Sequence, residues 1–263
     1  MATVIGKVYE TKDYDKFSLI VGNRPIRKKG VKWRSLLESI EKYGQLEPAL
    51  VNERFEVING QHRLACCMEL GIPFKYTFGR GNVSGELIAE ANSANKWGVR
   101  EFIHFYASQT SVNSISYKYY EALREEFKIG DSALITILTG NEGGSVTADI
   151  RAGKLEITEK KYEMVRKCLA DLRELGFFKW FKENSVNARS YWGAVSYAWR
   201  HHDVNMKRLI KVLFENEYRV PSTARTTELL RCFSEIYNKR LNKANKVFLE
   251  QDWEKGKYRK WEV

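Results

Sequence analysis

The chain has 263 residues, 44 Lys and Arg against 33 Asp and Glu, a formal net charge of +11, and 43% apolar residues. Those proportions are globular and exclude wholesale disorder, and no apolar run approaches the roughly 20 residues of a bilayer span. Four cysteines (Cys66, Cys67, Cys168, Cys232) without CxxC spacing, and an N-terminus without a secretory apolar stretch, point to a cytoplasmic protein in a reducing compartment with no membrane partner.

In chain order, Phe17–Val21 reads as a short strand, stopped by Gly22-Asn23-Arg24-Pro25. Val31–Tyr43 follows as an amphipathic helix: Trp33, Leu36, Leu37 and Ile40 recur at helical spacing, and Gly44 closes it. Ala49–Val51 and Phe55–Ile58 read as paired strands around Asn52-Glu53-Arg54, a pairing that sets Ala49 near Val57 and Glu47 near Asn59. Gln61–Leu70 resumes helical spacing to Gly71, and Phe74–Phe78 alternates as a strand. From Gly85 onward the pattern is helical: 86–94, 99–109, 114–127, 131–138, 145–152, 158–175, 187–199, 204–218 and 223–242. Three of the four prolines lie before position 80, in keeping with a long helical second part. The expected fold is α+β: a small mixed α/β domain at 1–82, then a mostly α-helical, basic region at 83–263.

The basic excess is clustered. Arg24, Arg27, Lys28, Lys29, Lys32 and Arg34 occur without an acid between 24 and 37, and the last 25 residues hold eight cations against four acids. Such clusters suit polyphosphate partners. The segment that carries chemistry is strand–Asn59-Gly60-Gln61-His62-Arg63–helix. A glycine at a sharp strand-to-helix turn lets a ligand approach the backbone, and the N–H groups of the first helical turn then face an anion. Arg63 adds a fork suited to phosphate oxygens, and His62 adds a donor that titrates near neutrality. The alternative is an ordinary strand–helix corner with a surface His and Arg.

Taken together, Gly22-Asn23-Arg24-Pro25-Ile26-Arg27, Tyr43-Gly44-Gln45-Leu46-Glu47-Pro48-Ala49-Leu50-Val51, Val57-Ile58-Asn59-Gly60-Gln61-His62-Arg63-Leu64-Ala65 and Glu69-Leu70-Gly71-Ile72-Pro73 resemble the N-terminal domain of the ParB/sulfiredoxin superfamily over residues 17–80. The resemblance implies a compact α/β domain that binds a nucleoside triphosphate, CTP or ATP, with Mg²⁺. Gly60, Gln61, His62 and Arg63 fall on the phosphate loop, and Asn23 and Arg24 on a second, partly matching box. Gln61 stands where sulfiredoxins carry their reactive cysteine, so sulfinate chemistry is not implied. Glu90 and Asn92 stand in place of a Glu-Asn-x-x-Arg box that this chain does not reproduce, which weakens the implied CTP switching, and are the candidate metal ligands. Some members use a carboxylate near this region as a general base, which singles out Glu47; a Glu beside a phosphate loop also suits Mg²⁺.

Helices at 131–138 and 145–152 form a candidate helix-turn-helix, with Ser145, Thr147 and Arg151 toward a DNA groove, although the Gly-rich loop 139–144 exceeds the usual turn. Arg27, Lys28 and Lys29 are further candidate DNA contacts. Aromatics at 177–181, 191–199 and 253–261 read as helix-bundle core or as stacking platforms, core being favoured for the first two. The function expected is that of a ParB-like DNA-binding protein of plasmid or phage type, with DNA and a nucleotide as partners and a homodimer as one allowed assembly. The alternatives are an Mg²⁺-dependent enzyme of the same superfamily (nuclease, NTPase or phosphotransferase) and a degenerate interaction scaffold.

Overall fold

A computed structural model describes residues 7–79, 97–111, 113–139, 146–183, 188–221, 224–256 and 261. The chain divides into two compact units, Met1–Ser114 with Arg151–Gly153, and Ile115–Ile150 with Lys154–Val263. The first unit thus extends past position 82, the boundary read from the sequence.

The first unit holds a five-stranded mixed sheet. Its strands are β1 (Tyr9–Thr11), β2 (Ser18–Leu19), β3 (Ala49–Val51), β4 (Glu56–Asn59) and β5 (Phe74–Phe78), in the order β1-β5-β3-β4-β2. β1 with β5 and β3 with β4 run antiparallel, whereas β3 with β5 and β2 with β4 run parallel. Helices α1 (Val31–Tyr43) and α2 (Gln61–Leu70) have the bounds read from the sequence. Trp33 and Ile40 of α1 join Leu64, Ala65, Cys66 and Cys67 of α2, Ala49, Val51 and Val57, and Phe74 and Tyr76 in one core. Burial pushes the Cys66 and Cys67 thiols up to about 11, so both are core fillers and not nucleophiles. A third helix, α3 (Val99–Ala107), packs so closely on the loop after β2 that a Cβ on Gly22 would lie 2.8 Å from Phe105 Cα.

The β3–β4 register differs from the sequence expectation: Val51 faces Val57 and Leu50 faces Asn59, with an irregularity between them. The turn is the cause. Asn52 Oδ1 accepts the N–H groups of Arg54 (3.0 Å) and Glu56 (2.9 Å), and Phe55 turns left-handed at φ 57°, which tightens the hairpin. Glu47 therefore precedes the ladder and faces no residue of β4.

The second unit is helical: α4 (Ser114–Phe127) and α6 (Val146–Arg151), whose end residues Ser114 and Arg151 belong to the first unit, with α5 (Asp131–Thr139), α7 (Glu159–Glu174), α8 (Phe177–Glu183), α9 (Ala188–Arg200), α10 (Met206–Glu215), α11 (Thr226–Tyr237) and α12 (Leu249–Glu254). Thr158 Oγ1 caps α7 by accepting the Lys161 N–H at 3.2 Å, and Val165, Cys168, Leu169 and Leu172 line its buried face. Phe177, Trp180, Tyr191, Trp192 and Tyr197 are buried, the core role favoured for both clusters. Trp261 is core as well, where the sequence left stacking on bases open. It is 6% exposed, its indole N–H donates to Ile137 O at 2.7 Å, and its ring stacks on Trp199. Among the described residues, no helix is long and apolar enough to cross a membrane.

Candidate phosphate-binding site

β4 runs directly into α2 through Gly60, whose backbone is left-handed at φ 101°, ψ 16°. A Cβ there would lie 2.7 Å from Ala49 Cβ and 3.2 Å from Ala49 Cα, so conformation and packing both demand glycine. The result is a sharp turn pressed against β3, with the first turn of α2 emerging at the end of the sheet. No side chain caps that helix end, and its first turn contains no acid. Its leading N–H groups and the positive end of the helix dipole are therefore not answered by a carboxylate of that turn.

Around this end the chain gathers cations. Gln61, 6% exposed, folds back so that Nε2 donates to Arg24 O at 2.6 Å. Asn23 holds the same stretch from the other side: Nδ2 donates to Ile58 O at 3.4 Å, and Oδ1 accepts the Arg24 N–H at 2.8 Å. The Arg27 N–H points at His62 Nε2, a long contact of 3.5 Å. The His62 pKa lies below its ordinary 6.5, first through burial and then through the nearby positive charge of Arg24. Its ring is thus neutral at neutral pH, a hydrogen-bonding group poised to gain charge beside an anion. Arg27, Lys28 and Lys29 are exposed, and Lys28 pairs loosely with Glu69 at 3.8 Å.

Arg63 takes another part. Its Nη1 donates to Glu47 O (2.8 Å) and Pro48 O (3.1 Å) and lies 3.5 Å from Glu47 Oε2. The arginine side chain is 18% exposed and the glutamate 85% exposed. Arg63 therefore clamps the backbone leading into β3, while Glu47 presents an open carboxylate beside the loop. Burial lowers the Arg63 pKa and the Glu47 charge opposes that.

No family model, no curated protein and no solved structure matches this chain. The chemistry of the site rests on its geometry. Of the residues singled out in the sequence, Asn23, Arg24, Gln61 and His62 are brought together around the start of α2, while Glu47 meets Arg63. Glu90, Asn92 and Ser145 lie outside the described residues. Thr147 is half-buried, and Arg151 is exposed at the end of the six-residue α6, with its carbonyl accepting the Tyr106 hydroxyl at 3.0 Å. Among the described residues no group of three or more His, Cys, Asp or Glu forms a metal cluster.

Gln45, a buried positioning residue, was given no role from the sequence. It is 2% exposed; Nε2 donates to Glu47 O (2.8 Å) and Lys75 O (2.7 Å), and Oε1 accepts the Lys75 N–H at 2.8 Å. It ties the segment carrying Glu47 to β5. The only signal was a polar residue between a helix-ending glycine and a strand, which many solvent-exposed turns share.

Proposed function

We propose that this is a ParB-like DNA-binding protein whose first unit holds a nucleotide by its phosphates at the N-terminus of α2. One observation carries the reading: an uncapped helix end without an acid in its first turn is flanked by Arg24 and His62, held there by the buried amide of Gln61 and by Asn23. Phosphate oxygens answer both the helix end and the surrounding cations. The nucleotide expected is CTP or ATP with Mg²⁺, as the resemblance over residues 17–80 implies. Calorimetry against CTP, ATP, GTP and ADP with Mg²⁺, with and without duplex DNA, tests it. Micromolar or tighter binding that Arg24→Ala weakens at least tenfold supports the site; the absence of heat with every nucleotide refutes it.

A second reading, an Mg²⁺-dependent phosphoryl-transfer enzyme of the same superfamily, is favoured by the open carboxylate of Glu47 3.5 Å from Arg63. A carboxylate beside bound phosphates is placed to hold a metal or to accept a proton from a hydroxyl nucleophile. In that case Glu47→Gln abolishes turnover and keeps nucleotide affinity within a few-fold. A wild type that releases no phosphate and cuts no DNA with any divalent metal rejects this reading.

A further inference from the structure

The second unit carries a feature unrelated to the phosphate loop. Between the last residue of α11, Tyr237, and Phe248 runs Asn-Lys-Arg-Leu-Asn-Lys-Ala-Asn-Lys-Val, with four cations and no acid. Lys239, Arg240, Lys243 and Lys246 are all exposed. Four like charges in so short a stretch repel one another, and an untethered loop would spread them. This loop is tethered. Asn238 closes its ends, Nδ2 donating to Val247 O at 2.7 Å and Oδ1 accepting the Val247 N–H at 2.8 Å. Buried Val247 and Leu249 seat the far end. Inside, Leu241 N–H donates to Asn238 O (3.1 Å), and Asn245 N–H to Asn242 O (2.9 Å) around a 3₁₀ turn at Lys243–Asn245.

Arg208, on α10, props the near end. Its Nη2 donates to Tyr237 O (3.0 Å) and Lys239 O (2.7 Å), and its guanidinium lies over the Tyr237 ring at 5.3 Å. Arg240 adopts φ 62°, a left-handed conformation that a residue with a side chain takes only at a cost. The fold thus holds in place the backbone that carries these repelling cations, and the backbone part of the ordering entropy is already spent before any partner arrives.

We propose that the 238–247 loop is a nucleic-acid backbone clamp, with Lys239, Arg240, Lys243 and Lys246 on the phosphates of a DNA duplex and the exposed Asn242 and Asn245 offering amides to phosphate or sugar. Such contacts position a protein on DNA without reading its sequence. An anionic membrane is the poorer fit, because insertion needs an apolar face and the loop offers only Phe248, 48% exposed, at its edge. Asn238 and Arg208 are positioning residues. The inference rests on the DNA-binding reading above and adds the place where the duplex is held.

The test is anisotropy of a labelled 30-base-pair duplex across a salt series, using the full chain. Three variants are compared with wild type: K239Q/R240Q/K243Q/K246Q; a charge-matched control at exposed lysines, K118Q/K160Q/K167Q/K211Q; and N238A. Each neutralised phosphate contributes about 0.9 to the slope of log affinity against log salt, so the loop variant should lower that slope by up to about 3.6. Its affinity should fall at least tenfold, against less than threefold for the control. N238A keeps every loop cation and should still weaken binding several-fold with little change in slope. Equal losses in loop and control variants, or an N238A variant that binds like wild type, overturn the clamp. So does a loop variant that loses anionic vesicles yet keeps duplex. Wild type that binds no duplex at 50 mM salt overturns the DNA-binding reading along with the clamp. A loop variant as tight as wild type overturns the clamp alone. Nucleotide calorimetry of the loop variant should match wild type.

Discussion

Replacing Gly60 by alanine strikes the corner on which the phosphate site is built. The added Cβ arrives 2.7 Å from Ala49 Cβ and 3.2 Å from Ala49 Cα, and the backbone sits at φ 101°. The left-handed backbone costs an L-residue about 1–2 kcal/mol, and overpacking a well-filled site about 1–3 kcal/mol. Together these are about 2–5 kcal/mol, set against the roughly 5–15 kcal/mol that holds a typical domain folded. Gly71→Ala separates the two contributions, because Gly71 is also left-handed at φ 65° but a Cβ there meets nothing within 4 Å. Native-state hydrogen exchange on peptides spanning 49–70 reads the loss in both variants. Gly60→Ala should lose about 1–3 kcal/mol more than Gly71→Ala, and its nucleotide affinity should fall with it, because relief of the clash moves the first turn of α2. Equal losses would refute the argument that contact with β3, and not φ alone, reserves this position for glycine.

Arg63→Ala should destabilise the first unit by about 1.5–3 kcal/mol, the usual worth of hydrogen bonds to a charged group, since Pro48 O loses the Nη1 donor and Glu47 O is left with Gln45 Nε2; urea unfolding checks this, and an unchanged midpoint rejects the clamp. His62, with its pKa below 6.5 in the folded chain, binds fewer protons folded than unfolded near that pH. Stability should therefore fall as pH drops from 6.5 toward the folded value, and His62→Gln should flatten the fall. A bound phosphate reverses the bias, so nucleotide binding near pH 6.5 should take up a proton, measurable by calorimetry in buffers of different ionisation enthalpy. Trp261→Ala removes a buried indole and its bond to Ile137 O, and should cost about 3–5 kcal/mol in the second unit, read as a drop in Tm.

What the sequence determined by itself was everything set by neighbours a few residues apart. The spacing of Trp33, Leu36, Leu37 and Ile40 and the stop at Gly44 are local, and α1 begins and ends where they say. The same holds for α2 between Gly60 and Gly71 and for β5. Gly60, Gln61 and His62 were legible because a glycine corner followed by a basic helix start is itself a local pattern, whereas Asn23 and Arg24, far off in sequence, entered only through the family resemblance. Short elements without periodicity escaped: β1 is three residues long, and α12 is six. Tertiary structure decided the β3–β4 register, because the side chain of Asn52 and the left-handed Phe55 shape the hairpin in ways no alternation of apolar residues reports. It decided that Arg63 clamps Glu47 O and Pro48 O, because a long side chain goes to whichever carbonyls the packing leaves within reach. And it decided how the loop carrying four lysine and arginine residues after α11 is pinned, because Asn238 and Val247 close it on itself and Arg208 reaches it only when α10 packs against α11.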